Sequence, residues 1–356
     1  MSLAITDDAT LAVRAGVPLE VVELVRSCEV IDLHLETFIP PRLWGYDLHA
    51  RHDDHWLGGH FFGHLDFPRA LDGGLTGAMW SIATNVLRGR SGKLRAIREN
   101  VARLRAEIEK EPALAVVRDH AELVRARAEG KHAAMICVQG GNAYEAQDDP
   151  DFGDVVRVTV LHLTTSGFGR TSSPLGRGER GLTGAGKRFV ERLDAARVFV
   201  DLAHIDREGF WHAVDVHDRN LPFLVTHTGV CGVREHWRNV DDDQIRAVAR
   251  SGGVVGVIFE PSFLRRRGGP RDAAMVVEHL AHLIAAGGED VAAIGSDYDG
   301  LITPPPDLRD GGLAYYRLVH AMLEAGFGED RIRKILGLNF LRALHALRPG
   351  REPAAG

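Results

Sequence analysis

Short apolar, β-branched runs alternate with longer amphipathic stretches along almost the whole chain. The runs are EVIDLHLE from Glu29, GLTGAMWSIA from Gly74, HAAMICVQ from His132, VRVTVLHLT from Val156, VFVDLAH from Val198, LPFLVTHTG from Leu221, GGVVGVIFE from Gly252 and VAAIGSDYDG from Val291. They are nearly continuous in apolar residues rather than strictly alternating. That is the character of strands buried on both faces, as in a parallel sheet covered by helices. Helical patterns lie between them, in SGKLRAIRENVARLRAEIEK, TGAGKRFVERLDAAR, DDDQIRAVARSGG and AAMVVEHLAHLIAAGG. About eight strand–helix units in one chain predict an α/β fold of the closed (β/α)8 TIM-barrel type. An open doubly wound sheet is the alternative, but the first unit lacks the glycine-rich phosphate turn of that fold. The barrel is expected over 29–347, with a helical lead-in over 1–28 and a tail over 348–356. Two segments read as excursions from it. One runs from Tyr46 to Arg69; the other, from Gly167 to Arg180, is either a mobile active-site loop or a solvated connection.

Composition narrows the function classes. The chain of 356 residues is 45% hydrophobic, enough for a large core. Its net charge of −6, with no Lys/Arg block, argues against a nucleic-acid partner. Cys28, Cys137 and Cys231 are odd in number and widely spaced, so neither a disulfide framework nor a thiolate zinc site is expected. The opening MSLAITDDATLAVRAG lacks the basic start and apolar run of a secretion signal. No stretch approaches the ~18 apolar residues of a membrane span. A cytoplasmic protein without a membrane partner is the expectation.

The chemistry lies at the strand ends. His34 and Glu36 close the first predicted strand, Gln139 the third, His162 the fourth, His204 the fifth, His227 the sixth and Asp297 the eighth. The C-terminal mouth is where barrel enzymes gather their catalytic groups. With 18 histidines some are incidental, and His279, His282 and His345 fall in helical stretches. Imidazoles and carboxylates meeting at equivalent strand ends are instead the donor set of catalytic zinc. The spacing of His34 and Glu36 puts both on one face of a strand, the barrel interior.

The motifs DFPRALDGGLTGAMWS, GLTGAGKRFVERLDAARVFVDLAHID, LPFLVTHTG followed by WRN, DDQIRAVARSGGVVGVIF, IGSDYDG and IRKILGLNFLRAL occur in this order. From about Val30 to Leu344 the chain thereby resembles the renal, or membrane, dipeptidases, a zinc branch of the amidohydrolase superfamily (peptidase family M19). The resemblance implies two zinc ions at the mouth of the barrel, a homodimer, and cleavage of small dipeptides, often with a D-residue on the C-terminal side. It implies His34 as a ligand in the family's H-x-D motif, and His204 and His227 as ligands of the second zinc. It also implies His162 as the contact to the substrate carbonyl, Arg238 as the grip on the substrate carboxylate and Asp297 as the proton shuttle.

Two ligand positions depart from the pattern. Glu36 stands where the family has aspartate, and Gln139, in Gln139-Gly140-Gly141, stands where it has the glutamate that bridges the metals. Two dications with a bridging hydroxide and three carboxylates are near neutral; losing one carboxylate leaves about +1 in a low-dielectric cleft. The second zinc is therefore disfavoured. Three arrangements stay open: Glu36 reaching towards the vacated position, one metal held by His34, Glu36, His204 or His227, and Asp297, or weak or lost metal binding. The functional expectation is a metal-dependent dipeptidase acting on a small dipeptide-like substrate. The alternatives are a family member acting on another small amino-acid-derived amide or biosynthetic intermediate, and a metal-poor, non-catalytic binding protein.

Overall fold

The computed structural model describes residues 6–53, 56–83, 89–147 and 150–350. Part of the expected C-terminal tail, 351–356, and the first five residues lie outside them. The strands are β1 (Ile31–Leu35), β2 (Gly77–Ala83), β3 (Leu114–Val116), β4 (His132–Gln139), β5 (Arg157–Thr159), β6 (Phe199–Asp201), β7 (Val225–Thr228), β8 (Val255–Val257) and β9 (Ala292–Ile294). They pair in the order β6-β5-β4-β2-β1-β9-β8-β7, with β3 attached to β4 off this path. All of these pairings are parallel. The two ends of the path meet just ahead of β7, where Leu224 donates to Val200 O and Leu202 donates to Leu224 O, both at 2.9 Å. The result is a nearly closed eight-stranded α/β barrel, each strand of which lies within one of the eight apolar runs.

The helices begin where side chains cap them. Asp119, Thr183, Asp206 and Asp241 each accept a hydrogen bond from a backbone N–H in the first turn of the helices that start at His120, Gly184, Arg207 and Asp242. This satisfies donors that the helix cannot pair internally. Two helices, Asp8–Ala15 and Leu19–Arg26, precede β1. Among the described residues, no helix is long and apolar enough to cross a membrane.

The barrel interior departs from the branched apolar filling usual in this architecture. Asp32, Ser81, Arg157, Thr159, Asp201, Thr226 and Ser296 are all buried there or at its strand ends. The ladder between β7 and β8 is irregular between Val225 and Thr228. A local break of this kind re-aims side chains, and here the consecutive Thr226 and His227 both reach the polar interior. The strands close in tightly on the Thr226 carbonyl: a Cβ on Gly256 would stand 2.0 Å from that oxygen, and one on Gly295 1.8 Å. Both contacts are with backbone, so neither can give way by a rotamer change. Gly295→Ala is therefore expected to destabilise the fold by roughly 1–3 kcal/mol. Urea denaturation checks this: the midpoint should fall at unchanged slope.

Candidate metal centre

The mouth of the barrel brings together every residue expected at it. His34 and His227 lie within β1 and β7, Gln139 ends β4, and Glu36 follows β1 directly. His162, His204 and Asp297 sit three residues beyond the ends of β5, β6 and β9, in the first turn after each strand. His204 and Asp297 have φ of 64° and 65°, a left-handed conformation uncommon outside glycine. Backbone contacts hold both turns: Ser172 donates to His204 O at 2.8 Å and Asp297 donates to His34 O at 3.0 Å.

The side chains form one cluster with two poles. At one pole the Nε2 atoms of His204 and His227 are 2.8 Å apart, and Gln139 Nε2 lies 3.1 Å and 3.3 Å from them. At the other, His34 Nε2 is 3.4 Å from Asp297 Oδ1 and 3.8 Å from Glu36 Oε1. The poles touch where the His34 and His227 rings stack with centroids 3.8 Å apart. One ligand atom from each of His34, His227 and Asp297 falls within 4.8 Å of the others, a grouping of the kind that holds a metal ion. The His162 ring stands edge-on to His204 at 4.8 Å.

The electrostatics suit a cation. Burial pushes His162 down to about 3 and His34, His204 and His227 well below the usual imidazole range, so all four are neutral near pH 7. Burial also pushes Glu36 up to about 7, and burial with the charge of Glu36 holds Asp297 well above the usual carboxylate range. Glu36 Oε1 and Gln139 Oε1 are buried without a hydrogen-bond partner. Unpaired acceptors beside neutral imidazoles are uncommon in folded proteins, and a divalent ion would satisfy them. The amide of Gln139 contributes no charge to that balance.

Sequence reasoning missed the layer beneath. Arg157, fully buried, places Nη2 2.9 Å from His34 Nδ1 and 2.6 Å from Ser81 Oγ, and Nη1 2.6 Å from Thr159 Oγ1. Its charge is met by Asp201, 3.3 Å away. Asp201 also accepts from the Thr159 and Thr226 hydroxyls at 2.6 Å and 2.8 Å, and Thr226 Oγ1 lies 2.8 Å from His227 Nδ1. On β1, Asp32 accepts from His34 N and from the Tyr315 hydroxyl. The available signal was a single charge inside each of the apolar runs IDLHL, VRVTV and VFVDL.

A cavity of about 1010 Å³ opens above the cluster, lined by Glu36, Gln139, His162, His204, Arg238 and Asp297 among others. Arg238 is buried, with Nε and Nη2 unpartnered. Burial lowers it to about 10, which leaves it charged at neutral pH. Asn239 pins the loop that carries it, donating to Arg234 O and Phe263 O and accepting from Gly229 N. The Tyr46–Arg69 excursion supplies Phe61 and Phe62 to the cavity wall. No residue of the Gly167–Arg180 segment is among the lining residues; the segment braces the His204 turn instead.

Comparison with known proteins agrees with this fold. The model of the membrane dipeptidase family, peptidase family M19, matches residues 19–353. An uncharacterized protein in the pqqA 5' region of Klebsiella pneumoniae is 37% identical over 168 residues, which is 46% of this chain and 60% of that protein. The chain spans about half the length of the curated relatives it matches. The crystal structure of dipeptidase AC, a metallopeptidase of family M19, superposes with a TM-score of 0.79 at 25% identity, covering 91% of this chain and 100% of that one. A metallopeptidase from Rhodobacter sphaeroides, bound to a phosphinate mimic of the dipeptide L-Ala-D-Ala, has a TM-score of 0.73 at 25% identity, covering 90% and 99%.

The buried ion pair sets a measurable stability term. Asp201→Asn keeps the shape but leaves Arg157 charged and uncompensated inside the barrel, and is expected to cost about 3–5 kcal/mol. Arg157→Met combined with Asp201→Asn should cost clearly less than the sum of the single changes in a denaturation double-mutant cycle.

Proposed function

The chain belongs to the membrane dipeptidase family, peptidase family M19, and from that premise we propose that it is a metal-dependent dipeptidase, hydrolysing small dipeptides, those with a C-terminal D-residue included. The observation that carries the reading is the meeting, in one cavity, of a cation-seeking cluster with an unpaired buried guanidinium, Arg238. In this reading the metal is held at the cluster, with Gln139 beside it, by ligands drawn from His34, Glu36, His204, His227 and Asp297. A divalent ion there supplies Lewis acidity to the amide carbonyl and acidity to water. The donor set of nitrogen and oxygen suits zinc, and suits other divalent ions too.

The chain's own groups do the remaining work. Arg238 grips the free carboxylate of the substrate, a fork geometry that a guanidinium matches. That fixes the scissile carbonyl relative to the neutral His162, which stabilises the oxygen as negative charge develops on it. Asp297 accepts the proton that the attacking water releases. It returns that proton to the amine nitrogen as the C–N bond breaks, general base and then general acid.

The wall of the cavity favours bulky apolar substrates within this chemistry. Leu43, Trp44, Phe61, Leu163, Trp237 and Leu301 are exposed large hydrophobics, and all six line the cavity. The volume is at the upper end of small-molecule pockets, roomier than the smallest dipeptides need. With Gln139 in place of the bridging carboxylate, this supports a second reading in which a larger apolar amide is the preferred substrate.

A hydrolysis screen of dipeptides, with and without chelator, tests the function; hydrolysis that survives complete metal removal would sink it. Asp297→Ala is expected to lower kcat roughly 10²–10⁴-fold. Arg238→Met should cost roughly 10–100-fold in kcat/KM on free dipeptides, the loss of a charge-assisted bond of about 1.5–3 kcal/mol. The same change should matter little on C-terminal amides. Across the screen, Leu- and Phe-containing dipeptides should exceed Gly- and Ala-containing ones by roughly 10–100-fold in kcat/KM.

A further inference from the structure

We propose that the first-strand pole of the centre takes no metal: Arg157 holds His34 with its hydrogen on Nε2, and a single divalent ion sits on His204 and His227. The inference rests on the metal-dependent reading above and narrows it.

The argument turns on which ring nitrogen carries the hydrogen. A guanidinium has only donors, and in a neutral imidazole one nitrogen donates while the other accepts. His34 Nδ1 lies 2.9 Å from Arg157 Nη2 and 3.3 Å from Ser81 Oγ, which itself accepts from Arg157. Nδ1 is therefore the acceptor and the hydrogen is on Nε2. That nitrogen has no hydrogen-bond partner, and the carboxylates beside it are Asp297, with Oδ1 at 3.4 Å, and Glu36, with Oε1 at 3.8 Å. A nitrogen so protonated has no lone pair for a metal. Metal-ligating histidines ordinarily donate their second N–H to a carboxylate or carbonyl; at His34 a cation occupies that partner position.

His227 is the reverse case. Thr226 gives its hydroxyl hydrogen to Asp201 Oδ2, an obligate acceptor, so its oxygen receives the hydrogen from His227 Nδ1. The His227 Nε2 lone pair then accepts from His204 Nε2, 2.8 Å away, with the Gln139 amide alongside; among the described residues no hydrogen bond fixes His204 Nδ1, so His204 can move its hydrogen there and turn Nε2 to a metal. One pole thus offers the bare His227 Nε2 beside a His204 whose tautomer nothing fixes, and the other turns an N–H towards its own carboxylates.

Arg157 cannot be swung aside to free His34. It is fully buried, bound to Thr159 and paired with Asp201. Charge favours the same count. One dication offsets Glu36 and Asp297, while a second would lie beside a guanidinium with no carboxylate at position 139 to screen it. Gln139 and Arg157 act in the same direction: a neutral amide where the resemblance implies an anion, and a cation fixed beneath His34.

The test is metal stoichiometry. Protein reconstituted with zinc and desalted is measured by inductively coupled plasma mass spectrometry as wild type, His34→Gln, His227→Gln and the double variant Arg157→Met with Gln139→Glu. Expected are about one zinc per chain in the wild type, less than a ~3-fold change in zinc affinity for His34→Gln, at least a ~100-fold loss for His227→Gln, and a second zinc in the double variant. Two zincs in the wild type, or loss of the zinc in His34→Gln, overturns the proposal and leaves metal-dependent hydrolysis standing. No zinc at all overturns both. Should the double variant fail to fold, long-range 1H–15N spectra of the zinc-loaded wild type, with His34 identified through His34→Gln, decide the matter. A hydrogen on Nε2 with bare Nδ1 is expected, and zinc coordinated at His34 Nε2 overturns the proposal.

Discussion

The ion pair between Arg157 and Asp201 is the constraint on which the rest of the site depends. Two charges 3.3 Å apart attract by a few kcal/mol at the effective dielectric of a protein interior, on the order of the desolvation each has suffered. Such a pair adds little net stability. What it does is orient: Arg157 determines which nitrogen of His34 is bare, and Asp201, through Thr226, does the same for His227. Two stacked imidazoles of the same residue type are thereby given opposite hydrogen-bonding roles by groups buried beneath them.

The fold makes this layer possible because the barrel strands converge. Short strands of three residues, β5, β6 and β9, end below the mouth and leave His162, His204 and Asp297 on the turns above. All three turns carry a non-glycine residue at positive φ, Leu163, His204 and Asp297, which costs on the order of 1–3 kcal/mol each. That strain persists because neighbouring segments hold the backbone. The His204 turn is bonded to Ser172, and the Asp297 turn to β1. The Gly/Arg-rich segment before helix Gly184–Ala195 therefore acts on the centre through its backbone, not as a lid.

The sequence was most legible where a pattern had a single structural meaning. Continuous apolar runs located all eight barrel strands, because a strand covered on both faces has no polar alternation to lose. The ninth, β3, fell outside the eight runs: Leu114–Val116 lies in the short apolar stretch 113–117, between Pro112 and Arg118. Histidines at the ends of apolar runs also stood out, and the structure brings all of them to one mouth. Arg157 and Asp201 did not stand out, since a lone charge inside a strand reads equally as an edge or a flaw. Their meaning lies in pairing across strands, between residues 44 positions apart, which no local pattern records.

The departures at Glu36 and Gln139 look different once the layer below is included. Taken alone, a lost bridging carboxylate suggests a failing metal centre. Yet Glu36 and Asp297 remain buried and raised in pKa, and both need positive charge nearby. Four imidazoles remain neutral, and a buried Arg238 keeps unpaired donors aimed at the cavity. Arg42, Arg157 and Arg238 act on the two carboxyls yet burial still leaves both raised, so a further positive charge in the cluster would favour their ionised forms. The apolar lining adds to this, because Phe62 and Ile258, both buried in the cavity wall, lower the dielectric beside the remaining polar groups.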